Sequence, residues 1–294
     1  MLLDQTGSPL PIEPEQHLRD PHIRRSLEGY LHLTAALDER GKTILTRKGF
    51  RSPIHVSKPY PKGSALLVNM MSPTAGMLEG DRVQIDVELE KGAQLILSNP
   101  TALRIHKMDR HEAQWDQQFR IADGAFLESH PEWTIPQAKS RFRQTTCIQL
   151  SPGARLLFIE AIAPGRVAFG EQFMFEHFRS RFELRYGESL AALEKWNMRP
   201  SSETTSGWQN YLDTSFYISI YLSAPEMESN DSIFEYIHGL KTDTLVCGSS
   251  QLGECPCWNA KLMSPNPVEL RDALSKIRER FYAAIGLPVF DLRK

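Results

Sequence analysis

The chain has 294 residues, with 34 Lys and Arg against 36 Asp and Glu, giving a formal net charge of −2. That balance excludes a globally basic nucleic-acid binder, and 41% hydrophobic residues are too many for a disordered chain. Four cysteines make no disulfide framework, and no apolar run approaches the roughly 20 residues that span a bilayer.

Residues 1–28 read as a poorly ordered lead-in. Pro9, Pro11, Pro14 and Pro21 fix φ and remove backbone donors, so no helix or central strand fits there. No apolar leader core is present either, so a cytoplasmic protein without a signal peptide is expected. Residues 29–294 are expected to form one mainly β domain. Tyr30–Leu37 and Thr43–Thr46 flank Asp38-Glu39-Arg40-Gly41-Lys42, a strand, a turn and a strand.

Next, Val83, Ile85, Val87 and Leu89 alternate with polar residues, the period of a strand with one buried face. A turn at Gly92-Ala93 leads into Gln94–Ser98. The arrangement returns twice, around Gly124-Ala125 and around Gly153-Ala154, at spacings of 32 and 29 residues. Each Gly supplies the positive φ of a tight connection, and isolated hairpins are marginal, so they must stack. A stacked β-hairpin, β-helix-like architecture is expected. Phe173–Tyr186 reads as a further strand pair and Leu190–Asn197 as a short helical or irregular crossover. Asp213–Ser223, Leu245–Cys247 and Ala260–Met263 read as strands, and Asp231 or Ser232 caps a short helix. The C-terminal helix is the clearest element. Asn266 caps it, Pro267 takes the first helical position, and Leu270, Leu274, Ile277, Phe281 and Ala284 share one face up to Gly286.

Common catalytic signatures are missing: no Gly-x-Ser-x-Gly, phosphate loop, dinucleotide fingerprint or His-Glu-x-x-His. Cys255-Pro256-Cys257 puts two thiols on one side of an extended segment, where they are either a soft-metal pair or two loop cysteines. His106 and His111 face opposite ways on one strand, whereas His130 and Glu132 share a face and make the better pair of candidate ligands. Two glycine turns close on acids. Gly76 and Gly80 precede Asp81, and Gly165-Arg166 and Gly170 precede Glu171. These turns either present the charges or merely shape the chain.

At these residues the sequence resembles the UreD family of urease accessory proteins, called UreH in some bacteria. The family pattern Pro-x-Gly-Gly-x-x-x-Gly-Asp stands here as Pro73 to Asp81. Gly92-Ala93, Ser98 to His106, Pro131-Glu132-Trp133-Thr134-Ile135, Pro152-Gly153-Ala154-Arg155-Leu156 and Gly165-Arg166 with Gly170-Glu171 follow in order. The resemblance implies a β-helical stack and a non-enzymatic role. It implies binding to the urease apoprotein and to the partners UreF and UreG, a GTPase, without nucleic acid or membrane. It also implies transient Ni²⁺ carried along a water-filled interior path, with no tightly bound cofactor. Asp81 and Glu171 would line that path, with His130, Glu132, Cys255 and Cys257 as further nickel-handling candidates. Two other readings compete: a metal-dependent hydrolase with three converging ligands, and a carbohydrate- or peptide-binding β-module with an exposed aromatic platform.

Overall fold

The computed structural model describes residues 26–200, 216–227 and 232–292. The strands are β1 (Glu28–Leu37), β2 (Thr43–Arg51), β3 (His55–Val56), β4 (Tyr60–Lys62), β5 (Ala65–Met71) and β6 (Arg82–Leu89). Then come β7 (Gln94–Asn99), β8 (Leu103–Ile105), β9 (Ala113–Ile121), β10 (Phe126–Pro131), β11 (Thr134–Pro136), β12 (Arg141–Leu150) and β13 (Arg155–Ile162). The last are β14 (His177–Tyr186), β15 (Ser189–Met198), β16 (Phe216–Ser223), β17 (Val246–Gln251) and β18 (Cys257–Ser264). The helices are α1 (Ser232–His238) and α2 (Pro267–Ala284). Among the described residues, no helix is long and apolar enough to cross a membrane.

Two sheets face each other. One runs β15-β14-β12-β9-β6-β1-β2, and the other runs β17-β18-β16-β13-β10-β7-β5-β3. Successive coils pair in parallel and in register, as in Val83↔Trp115 and Thr146↔Gln117. The β-helix-like stacking expected from the sequence is therefore present, but the connection differs. β6 does not pair with β7, nor β9 with β10, nor β12 with β13. Each Gly-Ala corner sends its second strand into the opposite sheet. Burial explains the difference. β6 alternates exposed and buried residues, whereas β7 and β10 are buried at nearly every position. Two partners in one half-solvated hairpin would share a single alternating pattern. Between the other sheet and the helices, β7 and β10 have no wet face.

The corners form a column. Ala122 N–H donates to the Leu89 carbonyl at 3.0 Å, and Ser151 N–H donates to that of Ile121 at 2.9 Å. Gly92, Gly124 and Gly153 all have φ between +68° and +85°. Ala93, Ala125 and Ala154 are fully buried, so only a methyl fits each corner. That explains why the Gly-Ala step recurs.

Two apolar layers result. Residues such as Val83, Ile85, Phe119, Leu127, Phe142 and Leu156 fill the space between the sheets. Ile96, Phe126, Leu157, Ile220, Leu262, Leu270, Ile277 and Phe281 pack the outer side of the larger sheet against the helices. α2 has its expected bounds. The Asn266 side chain accepts from Val268 N–H at 3.0 Å, and Gly286 sits at φ +67°. The crossover expected at Leu190–Asn197 is instead the strand β15, antiparallel to β14. Leu190-Ala191-Ala192-Leu193 are good helix formers, but the free edge of β14 and a turn at Gly187 override propensity. Phe173 to Tyr186 is one strand from His177, not a pair. Residues 1–25, Asp213–Ser215 and Asp231 lie outside the described residues.

Candidate functional site

The two acids at glycine turns are fully engaged. Asp81 is completely buried, and its carboxylate accepts from Leu27 N–H at 2.8 Å and Leu78 N–H at 2.9 Å. It ties the start of β1 to the turn before β6. Glu171 accepts from Arg166 Nε at 2.7 Å, from the same guanidinium's second nitrogen, and from Ala138 N–H at 3.2 Å. The Arg166 hydrogen bonds hold its carboxyl below the usual range. Gly76, Gly80, Gly165 and Gly170 sit at φ +134°, +77°, +144° and +72°, positive values that favour glycine. The 164–175 loop presents Val167, Phe169 and Met174 to solvent, with the Arg166 guanidinium 5.0 Å from the centre of the Phe169 ring.

His130 and Glu132 are likewise engaged. His130 Nδ1 lies 3.1 Å from Glu128, which itself receives Arg278 of α2 at 2.7 and 3.0 Å. Arg271 of α2 donates to Glu132 at 2.9 Å. The face that looked ligand-like thus anchors the C-terminal helix. The Cys255 thiol donates to the Leu252 carbonyl at 2.9 Å, and that of Cys257 to Ser223 Oγ at 3.3 Å. Burial first, and the neighbouring Cys255 second, push the Cys257 thiol up, away from thiolate. His106 Nε2 contacts the Ala75 carbonyl, and the backbone N–H of His111 donates to Glu79; the two histidines lie in the loop between β8 and β9, not on one strand. Among the described residues, no group of three or more His, Cys, Asp and Glu side chains is placed to hold a metal. Trp115, Trp133 and Trp258 are buried and Trp196 half-buried, so none of them forms an exposed aromatic platform; Trp208 lies outside the described residues.

Polar side chains also meet between the sheets. A cavity of about 50 Å³ lies between them, bordered by Asn99, Gln117, Ser129, Glu132, Gln144 and Glu160 among apolar neighbours. That volume takes a few water molecules, at roughly 10–15 Å³ each. Glu160, on β13, accepts from Gln144 Nε2 at 2.6 Å, and Gln117 Nε2 donates to Thr146 Oγ1 at 3.0 Å beside it. Glu194, on β15, accepts from Tyr221 at 2.6 Å and Trp196 at 2.7 Å, and pairs with Lys261. It borders a solvent-open cleft of about 590 Å³. Of the residues singled out from sequence, Glu132 borders the cavity, but Asp81 and Glu171 do not.

The two carboxylates have opposite characters. Burial opposes the charge of Glu194, but hydrogen bonds from Lys261, Tyr221 and Trp196 outweigh it and keep its carboxyl low. Burial, with Glu194 adding to it, pushes Glu160 up to about 7. Its charge therefore changes near neutral pH. The site offers carboxylate, amide and hydroxyl oxygens, which bind borderline divalent ions more weakly than imidazole or thiolate do.

A stability test follows. Between the ordinary carboxyl range and about 7, the folded chain holds a proton on Glu160 that the unfolded chain has released. Stability contributed by this group is full below that window and declines as pH rises through it. Glu160→Gln is therefore expected to gain on the parent as pH is raised from 5 to 8. Thermal unfolding at both pH values checks this, and a constant difference in Tm contradicts it.

Parallel coils stacked in register, each alternating between two facing sheets, define a β-solenoid-like protein, the class to which this molecule belongs. A family model described as UreD urease accessory protein matches residues 27–293, and the chain belongs to that family. A urease accessory protein UreD of Opitutus terrae is 33% identical over 252 residues, 85% of this chain and 92% of the relative. One from Acetivibrio thermocellus is 36% identical over 182 residues, 61% of this chain and 69% of that protein. A urease accessory protein UreH of Helicobacter hepaticus is 31% identical over 161 residues, 55% of this chain and 64% of its own length. Each relative is named for an accessory role.

Proposed function

We propose that this urease accessory protein is a cytoplasmic nickel-insertion chaperone, not an enzyme. It binds the urease apoprotein and the UreF–UreG GTPase complex and helps deliver Ni²⁺ to the urease active site. The supporting observation is the cavity at Glu160, bordered by Gln144 and Gln117 and lying between the two sheets. Ni²⁺ is the cargo. An interior route must shield the ion from competing ligands and still let it leave. Oxygen donors placed in series, with no cluster of three strong ligands, suit passage better than storage. Glu194 at the open cleft, Glu160 within and Glu132 on the cavity wall supply such a series. Asp81 and Glu171, with all their contacts to backbone or Arg166, serve as structural ties on this reading. The test is co-expression with urease subunits, UreF and UreG. The chain is expected to co-purify with the apoprotein and with UreF, and its deletion to leave urease without nickel. Full nickel loading without the chain refutes the proposal.

A further inference from the structure

The Cys255-Pro256-Cys257 segment closes the turn between β17 and β18, and it is bent rather than extended. The backbone bends at Cys255 and at Pro256 before β18 begins. Two residues of extended strand span about 6.6–6.8 Å, the upper limit for the Cα atoms of a disulfide. A bend at the middle residue shortens that span into the bonding range. The two thiols are near enough to hydrogen-bond to one another. Backbone contacts hold the turn in place. Leu252 N–H donates to the Cys257 carbonyl at 2.8 Å, and Ala224 N–H to that of Pro256 at 3.3 Å. The thiols donate to the Leu252 carbonyl and to Ser223 Oγ, contacts that sulfur makes weakly and can exchange.

Exposure divides the two roles. Cys255 is half-buried, so a small molecule can reach its sulfur, whereas Cys257 is fully buried and can react only with a neighbour. The other two cysteines are out of reach. Cys247 pairs with Leu262, five positions along β18 from Cys257, which is about 17 Å along the strand. Cys147 lies on β12 in the other sheet, out of phase with the buried Thr146 and Ile148.

We propose that Cys255 and Cys257 form a reversible dithiol–disulfide site that exchanges with low-molecular-weight disulfides. The Cys255 sulfur attacks one sulfur of the small disulfide, a mixed disulfide forms, and one small thiol leaves with the proton. The Cys257 sulfur then attacks that of Cys255 and expels the second small thiol with its own proton. Two protein thiols are oxidised and one small disulfide is reduced to two thiols. A ring closed across a single intervening residue is strained, which makes the bond easy to reduce again. Closure draws both sulfurs away from Leu252 and Ser223, and Leu252 borders the cleft at Glu194. This chemistry stands apart from the accessory role and needs no partner protein.

The full chain is incubated with glutathione disulfide, quenched in acid, then unfolded and alkylated for peptide mass spectrometry. Alkylation of both Cys255 and Cys257 is expected to fall at least tenfold, with no glutathione retained on either, and dithiothreitol is expected to restore it. In Cys257→Ser, glutathione is expected to stay on Cys255, because no second thiol expels it. In Cys255→Ser, Cys257 is expected to stay free. Both thiols still alkylated in the parent would overturn the proposal. So would glutathione left on the parent's Cys255 beside a free Cys257, or a bond from either cysteine to Cys147, Cys247 or a second chain.

Discussion

Replacing Arg278 with Met is expected to lower stability by about 3–5 kcal/mol, because it strands a buried charge. Glu128 is fully buried beneath α2. Burial alone would raise its carboxyl, yet hydrogen bonds from His130 and Arg278 hold it at about 2. Arg278 also donates to the Phe290 carbonyl at 2.8 Å, and Tyr282 donates its hydroxyl to Glu128. One guanidinium thus joins β10, α2 and the C-terminal segment. In a chain of this size, that loss corresponds to a fall in Tm of about 10 °C. Glu128→Leu with Arg278→Met is expected to recover most of it, since no unpaired charge remains. The pair's contribution is present above the ordinary carboxyl range and is lost as pH falls through that range toward about 2. The gap between parent and Arg278→Met therefore narrows in acid. A single variant within about 1 kcal/mol of the parent at pH 7 contradicts this account of the cluster.

Gly165→Val is expected to cost at least about 3 kcal/mol, from strained backbone and a steric clash together. Gly165 sits at φ +144°, a region that residues with a side chain rarely enter. A Cβ there would lie far inside van der Waals contact distance of the Glu171 carbonyl oxygen. The loop cannot simply move aside. Phe173 N–H donates to the Pro164 carbonyl at 2.7 Å, and Lys139 N–H donates to that of Met174 at 2.8 Å. The Arg166–Glu171 pair closes the same loop. Chemical denaturation measures the loss. A variant with parental stability would show that the loop tolerates a different path.

Much of this architecture could be read from the chain. The alternation of Val83 to Leu89, the Gly-Ala steps and the capped C-terminal helix each reflect a local rule, and each element stands where that rule put it. What local rules cannot supply is the partner of each strand. A positive-φ glycine closes a hairpin or turns a solenoid corner equally well, and only the doubly buried faces of β7 and β10 separate the two. Among acids, Asp81 and Glu171 stand out in the chain because each closes a glycine turn. Glu160 does not, because a single acid in Arg155-Leu156-Leu157-Phe158-Ile159-Glu160-Ala161-Ile162 reads as a solvent-facing break. A signal was present all the same. Gln117 is in phase with Trp115 and Phe119, and Thr146 with Phe142 and Ile148, so polar residues occupy inward positions of strands whose inward faces are otherwise apolar. Polar residues at inward phase on neighbouring coils mark an interior cavity.

The central claim is that nickel passes the Glu160 cavity. Glu160→Leu, co-expressed with urease, UreF and UreG, tests it when complex formation and urease nickel content are measured on the same preparations. Leu keeps the side chain's bulk and removes the oxygen donors. The account predicts normal capture of UreF and the apoprotein, with urease nickel reduced at least fivefold. Normal nickel content in a complex formed normally would contradict it.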